Sequence, residues 1–330
     1  MKLALDATYS VGENLSGVGV YSRELLAGLA AARPDLTFEW CYRLHRFAPG
    51  LKQPKPGNAR TRLLADGWLP SSSRLFHGLN QRMPGQRFKR SACTFHDLFV
   101  LSAEYSTREF RDRFSRQARE AAAQADLIIC VSRFTAAQVE SLLGVEPARL
   151  RVVPHGVRFQ PQQTASPREP LILHVGAIQK RKNLIPLITA FERAAPPPWR
   201  LCLAGSAGYG AEEVMDRIAR SPARERIDTP GWVSDAAVQR LYARASIFAF
   251  PSMDEGFGIP VLAVLVLVTT YMQSKLMTPV SQPGEQGAQM AQAMNLYMPL
   301  FMGYLALTFA SGLALYFVAS NLVTIAQYAL

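Results

Sequence analysis

The sequence predicts two α/β domains with doubly wound parallel sheets, followed by an all-α tail of the membrane type. Short apolar runs alternate with helical patterns over the first 255 residues, an alternation that is typical of βαβ units. A polar link that contains proline, Phe159–Pro170, interrupts this alternation, and beyond residue 255 only Lys275 and Glu285 carry a charge. We therefore predict domains at residues 1–158, 170–262 and 263–330.

Eight short apolar runs in the first two domains are predicted to be strands. Helical patterns separate them, and one of these patterns, Val20–Ala31, places Tyr21, Leu25 and Leu29 on a single face. The predicted strands are Lys2–Asp6, Phe38–Tyr42, Ala92–Phe95, Leu127–Val131, Leu150–Pro154, Leu171–Val175, Arg200–Ala204 and Ile247–Phe250.

The net charge of +11 lies entirely in residues 1–255. A module this basic favours an anionic partner, and a phosphate-bearing ligand, nucleic acid or an anionic membrane face would each satisfy it. The residues Met1–Asp6 reach an acid before an apolar run can form, so we expect no signal peptide and a cytoplasmic module. The four cysteines are far apart and lack metal-ligand spacing, so we expect small core hydrophobes in a reducing compartment; they are Cys41, Cys93, Cys130 and Cys202.

The tail contains no Asp, Glu, Lys, Arg or His from residue 286 to residue 330. A membrane span needs roughly 20 apolar residues, so this stretch accommodates two, at about 289–309 and 311–329. The uncharged run 256–274 is either a short span or a buried helix. We expect the tail to anchor the module to the inner or cytoplasmic membrane.

Two glycines that follow the first predicted strand, Gly17 and Gly19, precede a helix at whose N-terminus an anion can bind. Ser22 replaces the third glycine of the dinucleotide-binding fingerprint, although Glu39 lies about 20 residues further on, as that fingerprint requires. A turn that only packs the helix on the strand is the alternative interpretation.

A run of three cations, Lys180, Arg181 and Lys182, follows the predicted strand Leu171–Val175 and precedes a helix. Charge runs are usually solvated, but the carboxyl end of a strand is where α/β sheets bind ligands. This position favours a diphosphate-binding role for the cations.

The stretch from Phe250 to Leu262 places Glu255 before the turn Gly256-Phe257-Gly258, and Pro260 stands where a helix would begin. Backbone N–H groups at such a turn can face a phosphate while the carboxylate reaches a polyol. A purely structural turn is the alternative.

Two histidines follow predicted strands of the first domain. His96 directly follows the run Ala92–Phe95 and is expected at the carboxyl edge of the sheet, where it could contact a ligand. A purely structural role for this histidine is the alternative. His155 follows Leu150–Pro154, and we expect it to belong to a turn that ends the strand.

Taken together, the order of these motifs resembles the retaining family-four glycosyltransferases of the GT-B fold over residues 1–262. The stretches that carry the likeness are SGVGVYSRELLAGL, TFHDL, ADLIICVSRFTAAQV, VVPHGV, ILHVGAIQKRKNL and FAFPSMDEGFGIPVL. The resemblance implies a Rossmann-like acceptor-side domain at 1–158 and a nucleotide-sugar-binding domain at 170–262. It also implies transfer of a hexose, with retention, from a nucleotide-diphosphate sugar to a saccharide or lipid-linked acceptor, without a bound metal, another cofactor or nucleic acid.

The resemblance also assigns roles to individual residues. Gly17 and Gly19 would approach the donor phosphates, and His96 would contact the transferred sugar. Arg181 and Lys182 would bind the diphosphate, and Glu255, beside Gly256, Phe257 and Gly258, would bind sugar hydroxyls. The family pattern has a second glutamate, which holds the ribose, where this chain has Ala263. The likeness ends there, so we expect an incomplete second domain and impaired transfer that Ala263→Glu alone does not restore.

Residues 264–330 resemble the end of a YidC-type membrane protein insertase, through TTYMQSKLMTPV, AQAMNLYMPLFMGYLALTF and ASGLALYFVASNLVTIAQYAL. That family carries a buried arginine in its groove, and these spans contain no charge, so insertase activity is the weaker hypothesis. The junction near residue 262 indicates a chimeric reading frame. A nicotinamide-dependent oxidoreductase, suggested by Gly17, Gly19 and Glu39, is a further alternative.

Overall fold

The computed structural model describes residues 1–12, 14–65, 72–156, 167–256, 270 and 272. Within these residues, eleven strands form two separate parallel sheets, and eight α-helices connect them. The chain divides into two compact units, Met1–Arg158 and Phe159–Leu330.

The described part of the first unit contains seven strands and five α-helices. Its strands are β1 (Lys2–Asp6), β2 (Thr37–Arg43), β3 (Ala59–Leu64), β4 (Leu75–Gly78), β5 (Arg90–Phe95), β6 (Leu127–Cys130) and β7 (Leu150–Val152). Its helices are α1 (Gly17–Ala32), α2 (Leu44–Lys52), α3 (Phe99–Ser102), α4 (Arg108–Gln124) and α5 (Arg133–Leu143). The second unit contains strands β8 (Glu169–Val175), β9 (Arg200–Ala204), β10 (Ile227–Gly231) and β11 (Ala245–Phe248), with helices α6 (Leu184–Ala194), α7 (Ala211–Ala219) and α8 (Asp235–Arg244).

The sheet of the first unit has the order β3-β2-β1-β4-β5-β6-β7, and every neighbouring pair is parallel. The strand order reverses between β1 and β4, which makes the carboxyl ends of these strands the expected ligand edge. Both faces are buried: Leu5 packs with Leu26 of α1, whereas its neighbour Ala4 packs with Phe76 of β4. Burial on both faces explains why these strands have continuous apolar sequences.

The sheet of the second unit has the order β10-β9-β8-β11 and is also parallel. On one face, Leu203 packs with Ile188 of α6 and Val214 of α7. On the other, Leu173 packs with Leu241 of α8. The order reverses between β8 and β11, so the residues that follow these two strands lie beside each other.

All eight predicted strands are present, with ends that differ by up to two residues, and the four cysteines are buried and free. Three further strands were not predicted: β3, β4 and β10. β3 and β10 lie at sheet edges, and β10 contains Pro230, which an edge strand tolerates because one side of the strand needs no partner.

Helix α1 begins at Gly17, three residues before its predicted start, because the Ser16 hydroxyl accepts a hydrogen bond from Gly19 N (3.3 Å) and caps the helix. Gly17 and Gly19 therefore belong to its first turn and not to a preceding loop. A Cβ on Gly19 would lie 2.8 Å from the carbonyl oxygen of Tyr9, so close packing requires glycine there.

Phe257, Gly258, Ala263 and both predicted membrane spans lie outside the described residues. Among the residues that are described, no helix is both long and apolar enough to cross a bilayer.

Two helical glycines of the first unit predict opposite effects of alanine on stability. In α2, a Cβ on Gly50 would lie 2.6 Å from the buried ring of Tyr42, whereas Gly28 of α1 is exposed with nothing within 4 Å. We expect Gly50→Ala to lower the free energy of unfolding by about 1–3 kcal/mol through overpacking. We expect Gly28→Ala to raise it by about 0.5–1 kcal/mol. Thermal unfolding of the full chain in detergent would measure both, and equal melting temperatures for the two variants would contradict the packing described here.

Candidate functional site

The loops that follow β8 and β11 meet at the carboxyl edge of the second sheet. After β8, Lys180–Lys182 forms a single 3-10 turn, and after β11 the chain runs through Asp254 to Glu255. The backbone N–H of Met253 donates to the Arg181 carbonyl oxygen (2.9 Å), which ties the two loops together. The predicted cations and the predicted carboxylate therefore lie within one site.

Glu255 bridges two of the three cations. Its Oε2 lies 2.8 Å from Arg181 Nη1, and its Oε1 accepts a hydrogen bond from the ammonium group of Lys182. Arg181 Nη1 also donates to the Asp254 carbonyl oxygen (2.9 Å). Lys180, by contrast, is exposed. The sequence run of three cations thus contains two that are built into the site and one that faces solvent.

Burial and charge act in opposite directions on Glu255, of which only 9% is exposed. Burial alone would raise the pKa of its carboxyl, but the charges of Lys182 and Arg181 outweigh burial and hold that pKa below its ordinary value. The carboxylate is therefore ionised at neutral pH. The bridge stabilises the fold above the ordinary pKa of glutamate, and this contribution is lost as the pH falls through the lowered pKa.

Two buried polar atoms border this cluster without a hydrogen-bond partner in the part of the chain that the structure describes: His174 Nε2 and Ser252 Oγ. The other ring nitrogen of His174, Nδ1, lies 3.0 Å from the Ala249 carbonyl oxygen and so carries the proton, which leaves Nε2 as an acceptor. Burial lowers the pKa of His174, so the ring is neutral. Unsatisfied buried polar atoms are costly, and their presence here is consistent with a polar ligand.

Glycine is required where the loops after β8 and β9 touch. A Cβ on Gly205 would lie 1.9 Å from the carbonyl oxygen of Gly176, and one on Gly176 would lie 3.3 Å from His174 Nε2. The φ angle of Gly176 is 155°, a conformation that favours glycine. The backbone of both loops is thus held close to the charged cluster.

In the first unit, His96 follows β5 and is almost completely buried. Its Nε2 lies 2.9 Å from the Leu79 carbonyl oxygen, and burial lowers the pKa of the imidazole to about 4. The ring packs edge-on against Tyr21, with centroids 4.6 Å apart, and stacks on His155 at 5.4 Å. His155 thus contacts His96, whereas the sequence indicated only that His155 belongs to a turn that ends the strand. The sequence places Tyr21 on one face of a helix, and no sequence pattern marks it as part of this cluster.

Glu39, the acidic residue of the oxidoreductase alternative, does not lie at the end of a strand. It is the third residue of β2, and its carboxylate accepts hydrogen bonds from Arg62 Nε (3.2 Å) and Ser73 Oγ (2.9 Å). A buried carboxylate with these partners does not reach a ribose at the sheet edge. The geometry therefore disagrees with a nicotinamide site built on Glu39.

The structure brings Arg181, Lys182, Glu255 and the following Gly256 together in the second unit, and it holds His96, Gly17 and Gly19 in the first. Among the described residues, no group of three His, Cys, Asp or Glu side chains is arranged to hold a metal ion. Donor binding without a metal remains a prediction.

Three family models match this chain. The model described as glycosyl transferases group 1 matches residues 157–267, and the one described as glycosyltransferase family 4 matches residues 71–160. The model of the 60Kd inner membrane protein matches residues 228–330. Two of the matching models therefore describe glycosyltransferases, and the third, which describes an inner membrane protein, overlaps the end of the first.

Characterised relatives agree with this division. The O-antigen chain mannosyltransferase B of Escherichia coli is 28% identical over 209 residues, which is 58% of this chain and 54% of that protein. The membrane protein insertase YidC 1 of Bacillus cereus is 34% identical over 87 residues, which is 26% of this chain and 32% of that protein. The matches therefore cover about half of the one relative and about a third of the other.

Solved structures share the GT-B-like fold. The sucrose-phosphate synthase of Thermosynechococcus elongatus has a TM-score of 0.60 at 18% identity, over 99% of this chain and 97% of that one. WaaG, a glycosyltransferase involved in lipopolysaccharide biosynthesis, has a TM-score of 0.55 at 14% identity, over 100% and 95%. HepE of Anabaena in complex with UDP has a TM-score of 0.52 at 17% identity, over 99% and 97%.

The bridge predicts that Glu255 competes with an anionic ligand for its two cations. In Glu255→Gln, Arg181 and Lys182 lose their counter-charge while remaining buried, so we expect inorganic pyrophosphate to bind about 3- to 10-fold more tightly. Calorimetry of the full chain in detergent would measure the affinity. The matched control is Glu192→Gln, which breaks a comparable pair with Arg217 (2.8 Å) elsewhere in the same unit and should leave the affinity unchanged. Weaker pyrophosphate binding by Glu255→Gln would contradict the competition.

Proposed function

We propose that this chain binds a nucleotide-diphosphate sugar and transfers its sugar, with retention, to a saccharide or lipid-linked acceptor. The observation that carries this proposal is the buried pair of cations, Arg181 and Lys182, beside the carboxylate of Glu255 at the switch point of a parallel sheet. Cations bind a diphosphate, and a carboxylate accepts hydrogen bonds from sugar hydroxyls. One site thus offers a partner to each half of such a donor.

In the proposed reaction, the bond between the anomeric carbon and the phosphate oxygen breaks, and its electron pair leaves with the nucleoside diphosphate. An acceptor hydroxyl forms the new bond on the same face of the sugar, and its proton passes to the departing phosphate. Arg181 and Lys182 stabilise the negative charge that develops on that phosphate. The neutral ring of His96 accepts a hydrogen bond from a hydroxyl of the transferred sugar. Gly17 and Gly19 allow the phosphates to approach the first turn of α1.

The relatives support this class of donor. The Escherichia coli relative is a mannosyltransferase, and HepE of Anabaena is in complex with UDP. Because Ala263 occupies the position of the ribose-holding glutamate in the resembled family, this chain lacks a carboxylate that could accept two ribose hydroxyl bonds, each worth on the order of 1.5–3 kcal/mol. We therefore propose that transfer by this chain is slow.

The proposed donor site predicts that Lys182→Ala weakens binding of nucleoside diphosphates at least tenfold, and that wild-type affinity falls with added salt. Calorimetry of the full chain with UDP, GDP and ADP would measure this. Lys180→Ala removes the same charge from the exposed neighbour and should have little effect. Equal losses of affinity in the two variants would mean that binding depends on general electrostatic attraction and not on this site. Turnover of the corresponding nucleotide sugars by the same proteins tests transfer itself.

We also propose that the tail anchors the enzyme module to the inner or cytoplasmic membrane, and that the reading frame is chimeric, with its junction near residue 262. The support is the uncharged stretch 286–330 and the match of residues 228–330 to an inner membrane protein. Sequencing one continuous DNA molecule across codons 255–270 would test the junction. If the coding sequences of the two parts were found only on separate DNA molecules, the chimera would not exist as a gene.

The proposed anchor predicts that the full chain stays with membranes after an alkaline carbonate wash, because two apolar segments of about 20 residues do not leave a bilayer spontaneously. Fractionation followed by immunoblotting measures this. The double variant Leu300→Lys, Val318→Lys, with one substitution near the centre of each predicted span, should be released more readily. Recovery of the unaltered chain in the soluble fraction, without aggregation, would refute the anchor.

A further inference from the structure

Three rings of the first unit form a compact cluster after β5. His96 stacks on His155 with ring centroids 5.4 Å apart and planes inclined by 24°, while Tyr21 lies edge-on to His96 at 4.6 Å. Tyr21 also contacts His155 at 4.9 Å, so each ring touches the other two. These separations lie within the range in which aromatic pairs attract each other beyond simple burial.

Hydrogen bonds fix the members of the cluster from behind. The Tyr21 hydroxyl lies 3.2 Å from Thr94 Oγ1, and the same oxygen lies 2.9 Å from His77 Nε2. The ring of Tyr21 is thereby anchored to β5, the strand that ends next to His96. His77 is buried, and burial lowers its pKa to about 4, so this network is neutral at physiological pH.

The hydrogen bond of His96 also defines its tautomer. Its Nε2 faces the Leu79 carbonyl oxygen, which can only accept, so Nε2 carries the proton and Nδ1 is the nitrogen that accepts. One hydrogen bond leaves the ring free to turn about that contact. The two ring neighbours remove this freedom, because rotation would break both the stack on His155 and the edge contact with Tyr21.

From this geometry we infer that His155 and Tyr21 are positioning residues, which hold the imidazole of His96 in one orientation and one tautomer so that Nδ1 accepts a hydrogen bond from a sugar hydroxyl. The sugar part of this inference rests on the proposed function. The positioning part rests on ring contacts alone. A fixed acceptor binds a hydroxyl without first losing rotational freedom, which is the advantage of preorganisation.

The inference is tested on the full chain in detergent by NMR of ¹⁵N-labelled histidine. The chain has five histidines, so single substitutions assign every ring signal. We expect His96 to give one pair of sharp signals from the Nε2–H tautomer in the wild type. In His155→Ala these signals should broaden or report both tautomers, while His155→Phe, which keeps a stacking ring, should retain most of the wild-type pattern.

Two controls separate positioning from loss of the fold. His45→Gln changes an exposed residue and should leave the His96 signals unaltered. The signals of His77 and His174 report on the folded state of each unit, and they should persist in His155→Ala. If those two persist and the His96 signals are unchanged in His155→Ala, the positioning role is overturned. If Tyr21→Leu leaves the His96 signals unchanged, Tyr21 does not position the His96 ring.

The sugar part is measured separately, as the ratio of affinities for a nucleotide sugar and its free nucleoside diphosphate. We expect His155→Ala and His96→Ala each to lower this ratio several-fold, with nucleoside diphosphate affinity nearly constant, and His155→Phe to restore much of it. An unchanged ratio together with altered His96 signals would overturn the sugar contact and support the positioning role. Loss of nucleoside diphosphate binding in Lys182→Ala remains the independent test of the donor site.

Discussion

The charge bridge from Glu255 to Arg181 and Lys182 is the interaction on which the second unit's site depends. All three side chains are largely buried, and a buried charge without a partner costs several kcal/mol, so none of them is stable there alone. The bridge also joins the loops after β8 and β11. A ligand that takes over the cations must replace the carboxylate as their partner, and a donor with a diphosphate and sugar hydroxyls supplies replacements for both sides of the bridge.

The two units use the same sheet edge for different chemistry. In both, the carboxyl ends of parallel strands lie beside a reversal of strand order, where helices on opposite faces leave room for a ligand. The second unit places charges there, which suit a diphosphate. The first unit places neutral rings there, because burial keeps the pKa of His96 and of His77 at about 4. Neutral imidazoles suit hydroxyl groups, so the two sheet edges differ in the kind of polar group that each can bind.

The sequence predicted eight strands from their apolar runs. It missed β3 and β10, whose edge positions tolerate arginine and proline, and it missed β4, a central strand of only four residues that contains His77. It predicted Arg181, Lys182 and Glu255, because each follows a recognisable strand. The charge pattern alone did not distinguish Lys180 from its neighbours, since burial differs within a single turn, whereas the family resemblance assigned only Arg181 and Lys182 to the diphosphate. The contact of Tyr21 with His96 also escaped it, because that contact joins a helix to a strand end 75 positions away and leaves no periodic pattern.

Two of the family matches overlap within the second unit. The inner membrane protein model begins to match at residue 228, within β10, whereas the glycosyltransferase model continues to residue 267. In the structure, Asp228 pairs with Cys202 of β9, and Phe248 pairs with Leu173 of β8, so β10 and β11 belong to the same sheet as β8 and β9. Glu255 in turn bridges the cations after β8. The residues through Glu255 are therefore structurally part of the second unit, and charged residues nearly disappear from the sequence after that carboxylate.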